Sequence, residues 1–309
     1  MWLYSAKFKL FLLGAWVLCL GKTFAQQDPM YSQYQVNMLA VNPAYAGSKE
    51  GVAGLLMFRR QWTQIEGTPN TEAFAIHAPI ANDQFGIGLN LVNDNIGVSR
   101  RTNIFGSLAY NLDFGAHQLK AGLQIGATNF SNDWQSISTI TSGDPVFMEN
   151  ESFTHPNVGF GLWYYNQSNW FGGFSIPYLI EHQFNAVNEE VDAEQRRHYF
   201  FTVGKQMELS RDIKLKPWIM LKKVQYVPLQ VDVNVSAIFY DRFLLGASLR
   251  TGDGMAAMAQ VKLTRFFWLG YAYDYPFTAL NQFTPGSHEF FISFKGNIKQ
   301  QKVMSPRYF

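Results

Sequence analysis

The sequence predicts an all-β protein: an antiparallel transmembrane β-barrel of about fourteen strands, with short periplasmic turns and long extracellular loops. Three observations carry that prediction. Apolar and polar residues alternate with a period of two in run after run. The breaks between runs are short and long by turns. Aromatic residues are abundant at 16%, while charged residues are scarce at 16%. A soluble domain carries about a quarter charged residues and shows them on its outer face, so a soluble β-sandwich fits less well. No stretch of about 18 apolar residues is present, which excludes a bundle of membrane helices. A net charge of +2 without a basic stripe gives nucleic acid no footing. The 27 Phe, 15 Tyr and 8 Trp exclude a disordered chain.

The chain opens with an export signal, residues 1–25. Lys7 and Lys9 make a positive start, and Leu10 to Leu20 is an apolar stretch too short to span a bilayer. Thr23-Phe24-Ala25 offers small residues where a signal peptidase reads, placing cleavage between Ala25 and Gln26. Cys19 is the only cysteine and lies within this segment. It follows Leu18 rather than a small residue, so lipidation is not expected. A mature chain without cysteine has neither a disulfide nor a thiolate nucleophile.

Residues 26–49 read as a periplasmic N-terminal arm or plug. Tyr31, Tyr34, Val36, Met38 and Leu39 give it an apolar, partly aromatic character. Asn42-Pro43 asks for an extended residue and then a fixed turn, and Gly47 is free to take positive φ. Such a segment crosses or plugs a lumen, docks a periplasmic partner, or packs on the barrel rim; the sequence leaves all three open.

Residues 50–298 read as the barrel, in about fourteen runs of roughly 8–13 residues. Leu119, Ala121, Leu123, Ile125 and Ala127 share one face, opposite Gln118, Lys120, Gly122, Gln124 and Gly126. Val231, Val233, Val235, Ala237 and Phe239 oppose Gln230, Asp232, Asn234 and Ser236. A slip of one residue would invert either face, so register is well specified. Short breaks fall at residues 81–83, 113–115, 167–168, 210–212 and 241–242, and longer ones at 61–69, 93–98, 130–155, 177–196 and 276–286. An even strand number returns both ends of the barrel to the periplasmic side. Phe58 with Trp62, Trp163 to Tyr165, Trp170 with Phe171, Phe266 to Trp268, and Tyr271, Tyr273 and Tyr275 cluster toward run ends, as an interfacial girdle requires. Residues 299–309 form a periplasmic tail, and Pro306 keeps it from being a central strand.

No constellation carries catalysis, so the expectation is a non-enzymatic protein with no cofactor and no metal. The six histidines are scattered (His77, His117, His155, His182, His198, His288) and lack the spacing of a metal motif. Glu189, Glu190, Asp192 and Glu194 form an acidic cluster without a glycine-anchored calcium loop, and read as a solvated loop. Gly86-x-Gly88 and Gly159-x-Gly161 sit inside strands rather than opening helices, so they are not phosphate loops. No Gly-x-Ser-x-Gly elbow is present. Arg100-Arg101 and Arg196-Arg197 suit lipid headgroups or the edge of an apolar band.

Several segments resemble the PorP/SprF family of type IX secretion and gliding-associated outer-membrane proteins. They begin with Gln27-Asp28-Pro29 and the run Tyr31 to Ser48, which contains Asn42-Pro43-Ala44-Tyr45-Ala46-Gly47. They continue through Arg59-Arg60-Gln61-Trp62, Gly67-Thr68-Pro69 and Asn93-Asp94-Asn95-Ile96-Gly97. His155-Pro156-Asn157, Gly172-Gly173-Phe174-Ser175-Ile176-Pro177 and Arg197-His198-Tyr199 follow. Tyr271-Ala272-Tyr273-Asp274, Gly286-Ser287-His288-Glu289 and the closing Ser305-Pro306-Arg307-Tyr308-Phe309 complete the series. The resemblance implies an accessory outer-membrane barrel that supports secretion or surface display of adhesins. Its implied partners are outer-membrane lipid and either periplasmic ring lipoproteins or a secreted adhesin with a C-terminal sorting domain. No nucleic acid or small-molecule substrate is implied. Tyr31, Tyr34, Asn42, Pro43, Tyr45, Gly47, Arg307, Tyr308 and Phe309 are the candidate partner-binding residues. The alternative function is a porin or channel for small solutes.

Overall fold

The computed structural model describes residues 31–137, 149–185 and 192–296. Cys19, the cleavage pair Ala25 and Gln26, Glu189 and Glu190, and Arg307, Tyr308 and Phe309 lie outside the described residues.

Fourteen strands make the wall of a closed antiparallel barrel. In chain order the strands are β1 (Val52–Arg60), β2 (Asn70–Ile80), β3 (Phe85–Ile96), β4 (Ser99–Asp113), β5 (His117–Asn132), β6 (Glu151–Asn166) and β7 (Trp170–Ile176). A separate small hairpin, β8 (His182–Asn185) with β9 (Asp192–Gln195), precedes β10 (His198–Lys205). The two-residue β11 (Met207–Glu208) adds to the end of β12 (Ile213–Val224). The wall continues with β13 (Gln230–Phe239), β14 (Phe243–Arg250), β15 (Gly254–Lys262), β16 (Phe267–Pro276) and β17 (Ser287–Gly296). β1 pairs with β17 from Val52↔Gly296 to Arg60↔His288, which closes the sheet and removes its edges.

The wall follows the alternation read from the sequence. Leu123, Ile125, Val233 and Val235 point outward and are exposed, while Lys120, Gln124, Asp232 and Asn234 point into the lumen and are buried. Apolar residues outside and polar residues inside is the inverse of a soluble barrel, and it suits a wall facing lipid.

The breaks follow the expected pattern only in part. β1 starts and β17 ends at the barrel end that carries the turns at 81–84, 114–116, 167–169, 240–242 and 263–266. At the opposite end, residues 61–69, 133–150, 177–197 and 277–286 make long connections, the third containing the β8–β9 hairpin. The long break expected at 93–98 does not exist. β3 runs through Asn93, Asp94 and Asn95 to Ile96, and the turn is only Gly97-Val98, with Gly97 at φ +58°. The polar run stays extended because its side chains bond across strands, Thr71 Oγ1 to Asp94 Oδ1 at 2.5 Å and Arg100 Nε to Asn95 Oδ1 at 2.9 Å.

The aromatic girdle also needs correction. Phe58, Trp170 and Tyr275 are exposed on the outer face. Trp163 is buried on the inner face, where Phe171 stacks on it at 6.0 Å, and Trp268 lines a cavity inside the barrel. These three serve the lumen rather than the lipid boundary.

Candidate functional site: a lumen occupied by the N-terminal arm

The main hydrophobic core sits inside the barrel and is built around residues 31–46. The arm enters the lumen near the long-loop end at Tyr31, crosses it, and reaches the opposite end at Gly47 before β1 begins. Two 3-10 turns shape it, Met38–Ala40 and Pro43–Tyr45. The second has a local cause. Asn42 is extended before its proline, as the ring of Pro43 requires, and its Oδ1 accepts the Ala44 N–H at 3.0 Å as a cap.

Glycines on the inner wall make the seat for this turn. A Cβ on Gly122 would lie 2.3 Å from the Ala44 nitrogen, and one on Gly86 would lie 2.1 Å from the Ala46 carbonyl oxygen. One on Gly161 would lie 2.1 Å from Asn42 Oδ1. The backbone of residues 42–47 therefore lies against the sheet at a distance only glycine allows. Polar bonds fix it there. Asn42 Nδ2 donates to the Leu162 carbonyl at 3.0 Å, Ser175 Oγ to the Val41 carbonyl at 2.6 Å, and Lys120 Nζ to the Ala46 carbonyl at 2.8 Å. The Gly47 N–H reaches His77 Nδ1 at 3.1 Å.

Charged side chains grip the other end of the arm. Glu289 accepts the N–H groups of Ser32 at 2.8 Å and Gln33 at 3.0 Å. Asp274 accepts from Ser32 Oγ at 2.7 Å and from Arg59 Nη2 at 2.6 Å, and Arg59 Nη1 also donates to Ser32 Oγ. On β14, two strands along the wall from β16, Arg250 donates to the Tyr31 carbonyl at 2.7 Å while held by Asp232 at 3.1 Å and Asp253 at 2.9 Å. Bonds to charged groups are the stronger class, about 1.5–3 kcal/mol each.

The candidate partner-binding residues of the arm thus come together inside the barrel. Tyr31 and Tyr34 pack edge to face at 5.5 Å, and Tyr34 lies 6.4 Å from Phe200 of β10. Tyr45 packs edge-on against Trp163 at 5.1 Å and His77 at 5.6 Å. Asn42, Pro43 and Gly47 hold the turn and its seat. None of the six presents its side chain on the outer surface. Sequence reading missed the counterpart residues Arg59, Arg250, Asp274 and Glu289, and the glycine seat. Their signal was charge and glycine at lumen-facing positions of strands otherwise made for lipid. Among the described residues, no three His, Cys, Asp or Glu side chains gather as a metal site would need.

Solved structures with the same architecture are outer-membrane barrels. The CymD monoaromatic hydrocarbon channel matches with a TM-score of 0.51 at 12% identity, covering 88% of this chain and 94% of that one. The Acinetobacter baumannii outer membrane protein Omp33 covers 81% of this chain and 100% of its own, at 8% identity and a TM-score of 0.49. The likeness to CymD, at 12% identity, speaks for the fold alone. A search of curated proteins finds no sequence match. The family model described as type IX secretion system membrane protein PorP/SprF matches residues 23–294. With nearly the whole barrel and its arm inside that match, the chain belongs to the PorP/SprF family of type IX secretion system membrane proteins.

Proposed function

We propose that the protein is a plugged, non-enzymatic accessory barrel of type IX secretion or the gliding machinery, exported through a signal cleaved before Gln26. It supports secretion or surface display by binding a machinery subunit or a secreted adhesin. The observation that carries this reading is the buried arm, which bonds to wall strands on opposite sides of the lumen, from Glu289 on β17 to Ser175 on β7. A porin needs a free path through that space. A barrel whose lumen is crossed by its own arm has its rims and loops left as working surfaces.

The test is a cross-linked pull-down of the tagged, full-length protein from native outer membranes, read by mass spectrometry. Recovery of ring lipoproteins or an adhesin with a C-terminal sorting domain above a mock-tag control is the expected result. Recovery of abundant outer-membrane bystanders alone would move the assignment to a solute channel.

A further inference from the structure

We propose that the short-turn half of the lumen is a binding pocket for a single-chain amphiphile with an anionic head, a carboxylate or a phosphate ester. This site is independent of the partner the barrel serves. A cavity of about 300 Å³ lies between the arm and the inner faces of β1, β2 and β12–β17. Leu39, Leu55, Ile238, Leu244 and Trp268 supply apolar walls.

The charge in this cavity is of one sign. Lys49, Lys216 and Lys295 line it, and no Asp or Glu does. Lys295 makes only a 3.5 Å contact with the exposed Glu50. Lys49 and Lys216 make no ion pair among the described residues. Both also line an adjoining cavity of about 180 Å³, so they stand at the junction of the two spaces. Lumen lysines elsewhere are spent on protein groups, as Lys120 is on the Ala46 carbonyl. These two lie over aromatic rings, Lys49 over Tyr45 at 6.0 Å and Lys216 over Phe171 at 4.9 Å, and neither pairs with an acid among the described residues.

Polar groups of the arm border the same space. Asn37 of the arm lines the cavity and is 1% exposed, yet neither its Oδ1 nor its Nδ2 has a hydrogen-bond partner. Buried side-chain amides are nearly always paired. An oxyanion between Lys49 and Lys216 would leave its chain along the apolar wall. Lysine ammonium groups are point charges with no planar fork, so they accept either head. The arm closes the far side of the cavity, whereas Lys49 and Lys295 are exposed at the barrel end that faces the periplasm. Entry from that side follows.

The experiment uses full-length protein in lipid nanodiscs and a ten-carbon carboxylate carrying a diazirine, with adducts mapped by mass spectrometry. Saturable adducts on residues 35–49 or on inward positions of β16 and β17 are expected. Decanoate or decyl phosphate should compete, and the stronger competitor identifies the head; decanol should not. Affinity should rise about fourfold per methylene from hexanoate to decanoate. Lys216→Glu should lower occupancy about tenfold or more and Lys216→Arg should preserve it. If Lys216→Glu fails to fold, Lys49→Glu, which changes an exposed residue ahead of β1, serves in its place. Adducts confined to outward residues such as Phe290 and Ile292, competition by decanol equal to that by decanoate, or unchanged occupancy in the folded Glu variant would each overturn the proposal.

Discussion

Arg59 on the first strand and Glu289 on the last stand directly opposite each other across the closing seam, with Nη1 and Oε2 3.3 Å apart. Both side chains are almost fully buried. The same carboxylate receives the backbone N–H groups of Ser32 and Gln33. One acid therefore joins the seam of the barrel to the arm within it. Replacing a whole buried ion pair with apolar residues is often neutral, but removing one member strands a charge and costs about 3–5 kcal/mol.

Arg59→Ala should be the most damaging single change in this cluster, because it leaves Asp274 and Glu289 buried without their shared cation. We expect a loss of about 3–5 kcal/mol. The check is the urea midpoint at which the folded, faster-migrating gel band gives way to the heat-denatured one. An unchanged midpoint would show that the cluster holds nothing together.

Gly122→Ala should displace the arm, because the new Cβ would fall on the Ala44 backbone. Gly106→Ala is the matched control, since its Cβ would meet no atom closer than the Ile125 carbonyl oxygen at 3.9 Å. Limited proteolysis between residues 31 and 50 should become faster in the first variant and stay at the parent rate in the second.

Leu123→Arg or Val233→Arg places a cation on the lipid face, at a cost of about 2–4 kcal/mol if the residue lies at the bilayer midplane. Both should reduce the yield of assembled barrel in outer membranes. Leu209→Arg, at an exposed turn position beyond the wall, should assemble at the parental level. Equal yields for all three would refute the assigned facing.

Removal of residues 31–47 should convert a silent protein into a conducting one. Planar-bilayer recordings should show little current from the full-length chain and discrete openings from the deletion. Large, steady openings from the intact protein would favour the porin reading.

The wall was legible in the sequence because lipid outside and polar groups inside impose a strict period of two, which Leu119 to Ala127 and Val231 to Phe239 display. The turn chemistry misled at Asn93-Asp94-Asn95. Those residues have turn propensity, but cross-strand partners such as Thr71 satisfy them within a strand. Trp163, Phe171 and Trp268 misled in the same way, since an aromatic residue near a strand end packs a plugged lumen as well as it anchors an interface. The arm's apolar character and its Asn42-Pro43 turn were visible. Its grip was not, because Ser32 meets Asp274 and Glu289 across more than 240 positions of sequence, and the closing of the barrel alone brings them together.

That arrangement sets an order of events for biogenesis. The arm is made before any strand, yet Glu289 and Asp274, which hold it, lie in the last two. The cluster of Ser32, Arg59, Asp274 and Glu289 is complete only once β17 stands beside β1, so the arm's grip and the closing of the barrel are linked. Seam and contents share one fastening, so a closed barrel whose arm is displaced also lacks part of what holds its first strand to its last.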